Sequence, residues 1–175
     1  MTVKMTAASR GMVAARFWGM ALLGSAVLAA SAQVSLPMWP VPATLQTLAV
    51  LLLGALGGSR LGAASVALYL AEGAMGLPVF AGGASGIAVL AGPTAGYLLG
   101  FLPAAWIAGL AGRGWLRQAL VLGAAHMVLF VPGIAWLAGF VGWERAMVAG
   151  FLVFVPGTVV KTALAFTALR AARRD

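Results

Sequence analysis

The chain contains no cysteine, which excludes disulfides, thiolate-bound metals and a cysteine nucleophile. Charge is also scarce, at 8% of residues against roughly 25% in soluble domains, so water is not the main solvent of this chain. The few charges are mostly basic, with a net charge of +8. They are scattered singly at the ends of apolar segments, without the clustered stripe that nucleic acid requires. No GxxxxGK[ST] phosphate loop is present, so any nucleotide hydrolysis must come from another chain. Neither a metal site nor a cofactor is expected.

What is abundant is apolar surface: 63% of residues are hydrophobic, with a mean hydropathy of +1.05. At about 20 residues per span, the length allows roughly six helices with short loops and no separate soluble domain. Residues 1–175 are read as one integral membrane domain, an all-α compact bundle of six transmembrane helices. The apolar segments fall at about 17–36, 44–57, 61–75, 93–112, 117–140 and 147–170. The second and third are short for a roughly 30 Å hydrocarbon core. A re-entrant hairpin would place Arg60 in the membrane at about 2.5–3.5 kcal/mol, so two spans with Arg60 in water are expected instead. Ala30-Ser31-Ala32 imitates a signal-peptidase site, but the apolar run continues through Val34 and Leu36, and a retained first span is expected.

Charge placement gives the orientation. Lys4, Arg10, Arg16, Arg60, Arg113, Arg117, Arg170, Arg173 and Arg174 fall on one side of the six-span arrangement, and Arg145 alone on the other. Nine against one predicts that both termini are cytoplasmic in a multi-pass cytoplasmic-membrane protein surrounded by lipid. Small residues recur at four-residue spacing, as in Gly54/Gly58 and Gly96/Gly100, which suits close helix packing. In span one the face of Ala21, Ser25 and Ala29 is an alternative docking face for a partner membrane protein.

The two connections on the uncharged side run from Pro37 to Gln46 and from Gly76 to Gly86, and both are apolar or aromatic. Folding over the bundle as lids is the reading taken; tight interfacial turns anchored by Trp39 are the alternative. Lys161 lies nine positions before Arg170, about 13 Å deeper on a helix. Ionisable groups at that depth face a cavity or a partner. Pro156-Gly157-Thr158 starts or restarts a helix just before it, and Thr158 and Lys161 share a face. Glu72, at the end of span three, is a candidate counter-ion for Lys161.

Four stretches in order resemble the BioY family, the biotin-binding components of energy-coupling-factor transporters. They are Pro40-Val41-Pro42-Ala43-Thr44-Leu45-Gln46-Thr47, Gly76-Leu77-Pro78-Val79-Phe80-Ala81-Gly82-Gly83, Gly92-Pro93-Thr94-Ala95-Gly96-Tyr97-Leu98-Leu99-Gly100-Phe101 and Val155-Pro156-Gly157-Thr158-Val159-Val160-Lys161. The resemblance implies a six-helix subunit that captures biotin from outside with high affinity. It also implies a transmembrane coupling protein and two ATP-binding subunits as partners. By position, Lys161 is expected to hydrogen-bond the polar head of biotin, and Phe80, Gly82, Gly83 and Tyr97 to line the pocket or its lid. Gln46 and Trp39 belong to the first lid, and Thr158 stands where the family typically has aspartate, supplying a hydroxyl without negative charge.

Two other classes compete. Gly83-Ala84-Ser85-Gly86 fits the GxSG of rhomboid intramembrane proteases, with His126 as the available base. Against it, Ser85 lies in a loop, and His126 is expected to be a packed core residue. A self-sufficient secondary transporter would use Glu72 and Lys161 as its cation-coupling pair.

Overall fold

The computed structural model describes residues 7–173, with the side chains of 7–10 excluded. Lys4 and Arg174 and the side chain of Arg10, counted above for orientation, lie outside the described residues. The helices are α1 (Ala7–Gln33), α2 (Gln46–Gly57), α3 (Ser59–Ala74), α4 (Ile87–Ala91) and α5 (Ala95–Ala108), followed by α6 (Trp115–Val128), α7 (Phe130–Val141), α8 (Trp143–Gly150) and α9 (Val155–Ala172). A two-stranded antiparallel ribbon, β1 (Ser35–Leu36) with β2 (Ala43–Thr44), pairs Ser35 with Thr44 and lies in the first connection.

Among the described residues, three helical stretches are long and apolar enough to cross a membrane: Gly11–Gln33, Trp115–Val141 and Trp143–Ala172. The apolar helices α2 and α5 are shorter, at 12 and 14 residues, or about 18 and 21 Å. Exposed Leu23, Val131, Trp143 and Val159 belong to a largely apolar outer surface, as lipid contact requires.

The fifth and sixth segments are each interrupted. Between α6 and α7 the joint is at Leu129, where Pro132 has no N–H to offer the carbonyl four residues back. The sixth segment breaks more sharply: Phe151 leaves the helical region at φ −129° and ψ −63°, a 3₁₀ turn spans Leu152–Phe154, and α9 begins with Pro156 in its first turn. A fixed proline φ without a donor suits that position. The restart expected at Pro156 is found there. The fourth segment, expected from residue 93, begins as a helix at Ala95, and the unexpected short α4 precedes it.

Small residues set the helix spacing. A Cβ on Gly54 of α2 would run into the carbonyl of Ala105 on α5 and come within 2.9 Å of the Ala108 Cβ. A Cβ on Gly96 of α5 would meet the carbonyl of Pro132 on α7. At one end of the bundle, Arg173 donates from Nη2 to the carbonyl of Ala55 at 3.0 Å and from Nη1 to that of Gly112. Its side chain ties the end of α9 to α2 and to the loop before α6. Gly54→Ala is expected to cost about 1–3 kcal/mol through overpacking. Thermal unfolding in detergent checks this, and an unchanged midpoint would show that α2 and α5 separate freely.

Candidate functional site

At the end opposite Arg173, the two uncharged connections close over a cavity of about 200 Å³. That is below the about 300–1,000 Å³ of drug-sized sites, so it suits a compact ligand. Its roof comes from Val41, Pro42 and Thr44 of the first connection and from Phe80, Ala81 and Ala84 of the second. The walls come from Gln46 and Thr47 on α2, Tyr97, Leu98 and Phe101 on α5, His126 on α6, and Thr158 and Lys161 on α9, with Leu129 and Phe130 beside them.

The second connection is anchored by its aromatic residue. Phe80 is buried and meets Tyr69 edge-on, with ring centroids 5.4 Å apart. Its ring occupies the space left by the missing Cβ of Gly73, where any side chain would collide with it. Gln33 Nε2 donates to the Phe80 carbonyl at 3.1 Å, and Gly86 N to that of Gly73 at 2.7 Å. Gly82 and Gly83 turn the chain at φ 67° and 74°, a left-handed conformation that favours glycine.

The first connection is held from below. Gln46 is 3% exposed; its Nε2 donates to the Tyr69 hydroxyl at 2.6 Å, and its Oε1 accepts from Thr44 Oγ1 at 3.2 Å. The ammonium of Lys161 donates to the Thr44 carbonyl at 2.8 Å, joining α9 to β2. At the break before α9, the Tyr97 hydroxyl donates to the freed Gly150 carbonyl at 2.9 Å. Two separate side-chain to backbone bonds thus hold this end of the molecule, one at the break before α9 and one between α9 and the first connection.

The structure thus brings together Lys161, Thr158, Phe80, Tyr97 and Gln46 around one cavity. Gly82 and Gly83 shape the roof without lining it. Trp39 is 77% exposed and points away, which fits an interfacial anchor better than a lid contact. The pairing of Glu72 with Lys161 is corrected: Glu72 Oε1 accepts from Ser25 Oγ on α1 at 2.9 Å, and Glu72 does not line the cavity. A backbone carbonyl already lies within reach of the ammonium, so no carboxylate partner is required. This separation also removes the proposed cation-coupling pair. Ser85 is exposed, His126 is buried with its Nδ1 2.7 Å from Thr162 Oγ1, and no hydrogen bond joins the serine to the histidine among the described residues. Sequence reasoning missed Thr47 and His126 as wall residues, and the single histidine in an apolar chain was the available signal.

The BioY family model matches residues 2–175. The chain belongs to the BioY family. It is similar to the probable biotin transporter BioY of Pyrococcus horikoshii, 44% identical over 140 residues that cover 80% of this chain and 85% of that protein. It is also similar to the biotin transporter BioY of Thermotoga maritima, at 36% identity over 81% of this chain and 86% of that protein. The crystal structure of the S-component for biotin from an ECF-type ABC transporter superposes with a TM-score of 0.83. That match covers 98% of this chain and 96% of the other at 24% identity, which establishes a shared all-helical fold. The rhomboid alternative has no support in these relatives, and this BioY-family chain is a membrane protein of a transporter family.

Tyr97→Phe in this BioY-family chain removes the donor that satisfies the Gly150 carbonyl. An apolar setting makes such an orphan cost about 1–3 kcal/mol. A lowered melting midpoint of the ligand-free protein is expected; no change would mean the carbonyl is satisfied otherwise.

Proposed function

We propose that this protein captures biotin in the cavity beneath the two connections and serves its uptake across the cytoplasmic membrane. The supporting observation is a family-wide match joined to a small cavity in which an apolar roof and aromatic walls surround one ammonium. Biotin has the corresponding build: a compact ureido ring that hydrogen-bonds, and a thiophane ring and aliphatic chain that suit Phe80, Tyr97 and Leu98. Lys161 and Thr158 are the polar contacts, with Gln46 holding the first lid. The Thr158 hydroxyl accepts a ureido N–H without the charge of a carboxylate, which also spares the site a buried anion.

The six apolar segments form six spans in this reading, with both termini cytoplasmic and the two connections facing outward as lids. Arg60, Arg113, Arg117 and Arg173 then share the cytoplasmic end. The whole chain forms one membrane-embedded unit, and energy is supplied by a transmembrane coupling protein with ATP-binding subunits, since this chain carries no phosphate loop of its own.

Titration calorimetry of the purified protein with biotin, thiamine and riboflavin tests the assignment. Saturable heat with biotin alone is expected, and heat with another vitamin but none with biotin would overturn it. Lys161→Ala is expected to weaken biotin binding by about tenfold or more, the loss of a charge-assisted hydrogen bond. Unchanged affinity in that variant would make the lysine a strut for the Thr44 carbonyl.

A further inference from the structure

One ring in the cavity wall has a nitrogen that the fold leaves unused. His126 lies in the last turn of α6, is 1% exposed, and stacks on Phe130 with ring planes 12° apart. Its Nδ1 is engaged by Thr162 Oγ1 on α9, and its Nε2 has no hydrogen-bond partner among the described residues. Buried polar groups are normally bonded, so an unused ring nitrogen on the wall of a cavity marks a position for a ligand atom.

Donor accounting assigns the tautomer. Thr162 Oγ1 makes this one hydrogen bond and no bond back to a carbonyl of its own helix. If the hydroxyl donates to Nδ1, both groups are served and the ring proton resides on Nε2. The opposite arrangement strands a hydroxyl proton, and stranded donors are rarer than unused lone pairs. Nε2–H is then a donor in the cavity that Lys161, the residue before Thr162 on α9, also lines. The cavity lining contains no carboxylate. Two donors without a facing anion select an acceptor oxygen. A neutral carbonyl enters such a site at a smaller desolvation cost than a carboxylate.

We infer that His126 is a specificity-determining residue whose Nε2–H, together with the Lys161 ammonium, brackets the ureido carbonyl oxygen of the ligand, and that Thr162 is the positioning residue for its ring. This rests on the biotin reading. Loss of one such bond corresponds to roughly fivefold or more in affinity.

The experiment compares biotin, 2-iminobiotin, which lacks the carbonyl oxygen, and biotinamide, which lacks the carboxylate, by calorimetry on the full-length protein. Wild type is expected to prefer biotin over 2-iminobiotin, and His126→Phe to shrink that preference by about fivefold or more while leaving the biotin-to-biotinamide ratio unchanged. Thr162→Val, which keeps the imidazole, is expected to shrink the same ratio, and Thr162→Ser to restore it. Equal weakening of all three ligands in His126→Phe would reduce His126 to a packing role and overturn the inference. A change confined to the biotin-to-biotinamide ratio would place His126 against the carboxylate and overturn it as well. Wild-type protein that binds none of the three would instead overturn the biotin reading itself.

Discussion

The arrangement depends on one constraint: a helix broken where water is scarce must have its freed backbone groups satisfied by the protein. The break at Phe151–Phe154 releases the Gly150 carbonyl, and the Tyr97 hydroxyl takes it up. Because α9 restarts there, Thr158 and Lys161 project into the cavity from a new helix instead of continuing the face of α8. Lys161 then finds its acceptor in another backbone group, the Thr44 carbonyl of the first connection. The break and the lysine are thus each answered by a single polar partner, the Tyr97 hydroxyl for the Gly150 carbonyl and the Thr44 carbonyl for the Lys161 ammonium.

The two lids are stabilised by different means. The second is held mainly by shape, with the Phe80 ring seated over Gly73 and against Tyr69. The first is held by polar contacts, through Gln46, Thr44 and Lys161. Tyr69 serves both, meeting Phe80 with its ring and Gln46 with its hydroxyl. A ligand that engages Lys161 competes with the Thr44 carbonyl, so binding and the position of the first lid are energetically linked. The second connection, whose hydrogen bonds run from Gln33 and to Gly73, makes none with Lys161 among the described residues and does not share that competition.

Much of this was legible from residues. Apolar runs and proline positions indicated the helices, and Pro156 marked the restart of α9, because proline constrains its own local backbone. A lysine deep within an apolar segment pointed to a cavity, since an ammonium has few affordable positions at depth. Glu72 stood out as a candidate partner because a carboxylate is conspicuous in sequence, whereas the acceptor found, the Thr44 backbone carbonyl, has no letter of its own. His126 is buried as expected, but its place on the cavity wall was hidden, because its ring is held by Thr162, 36 positions away, and no local pattern connects them. The helical joint at Leu129 was hidden inside an unbroken apolar run, which reads the same whether straight or interrupted.

The central claim is that biotin occupies the cavity between the two lids and the start of α9. A crystal structure of the protein with biotin bound tests it most directly. The account predicts density for the bicyclic ring between Phe80, Tyr97 and Thr158, with the Lys161 ammonium bonded to the ligand. Biotin seated elsewhere, with the cavity vacant and Lys161 still bonded to the Thr44 carbonyl, would contradict it.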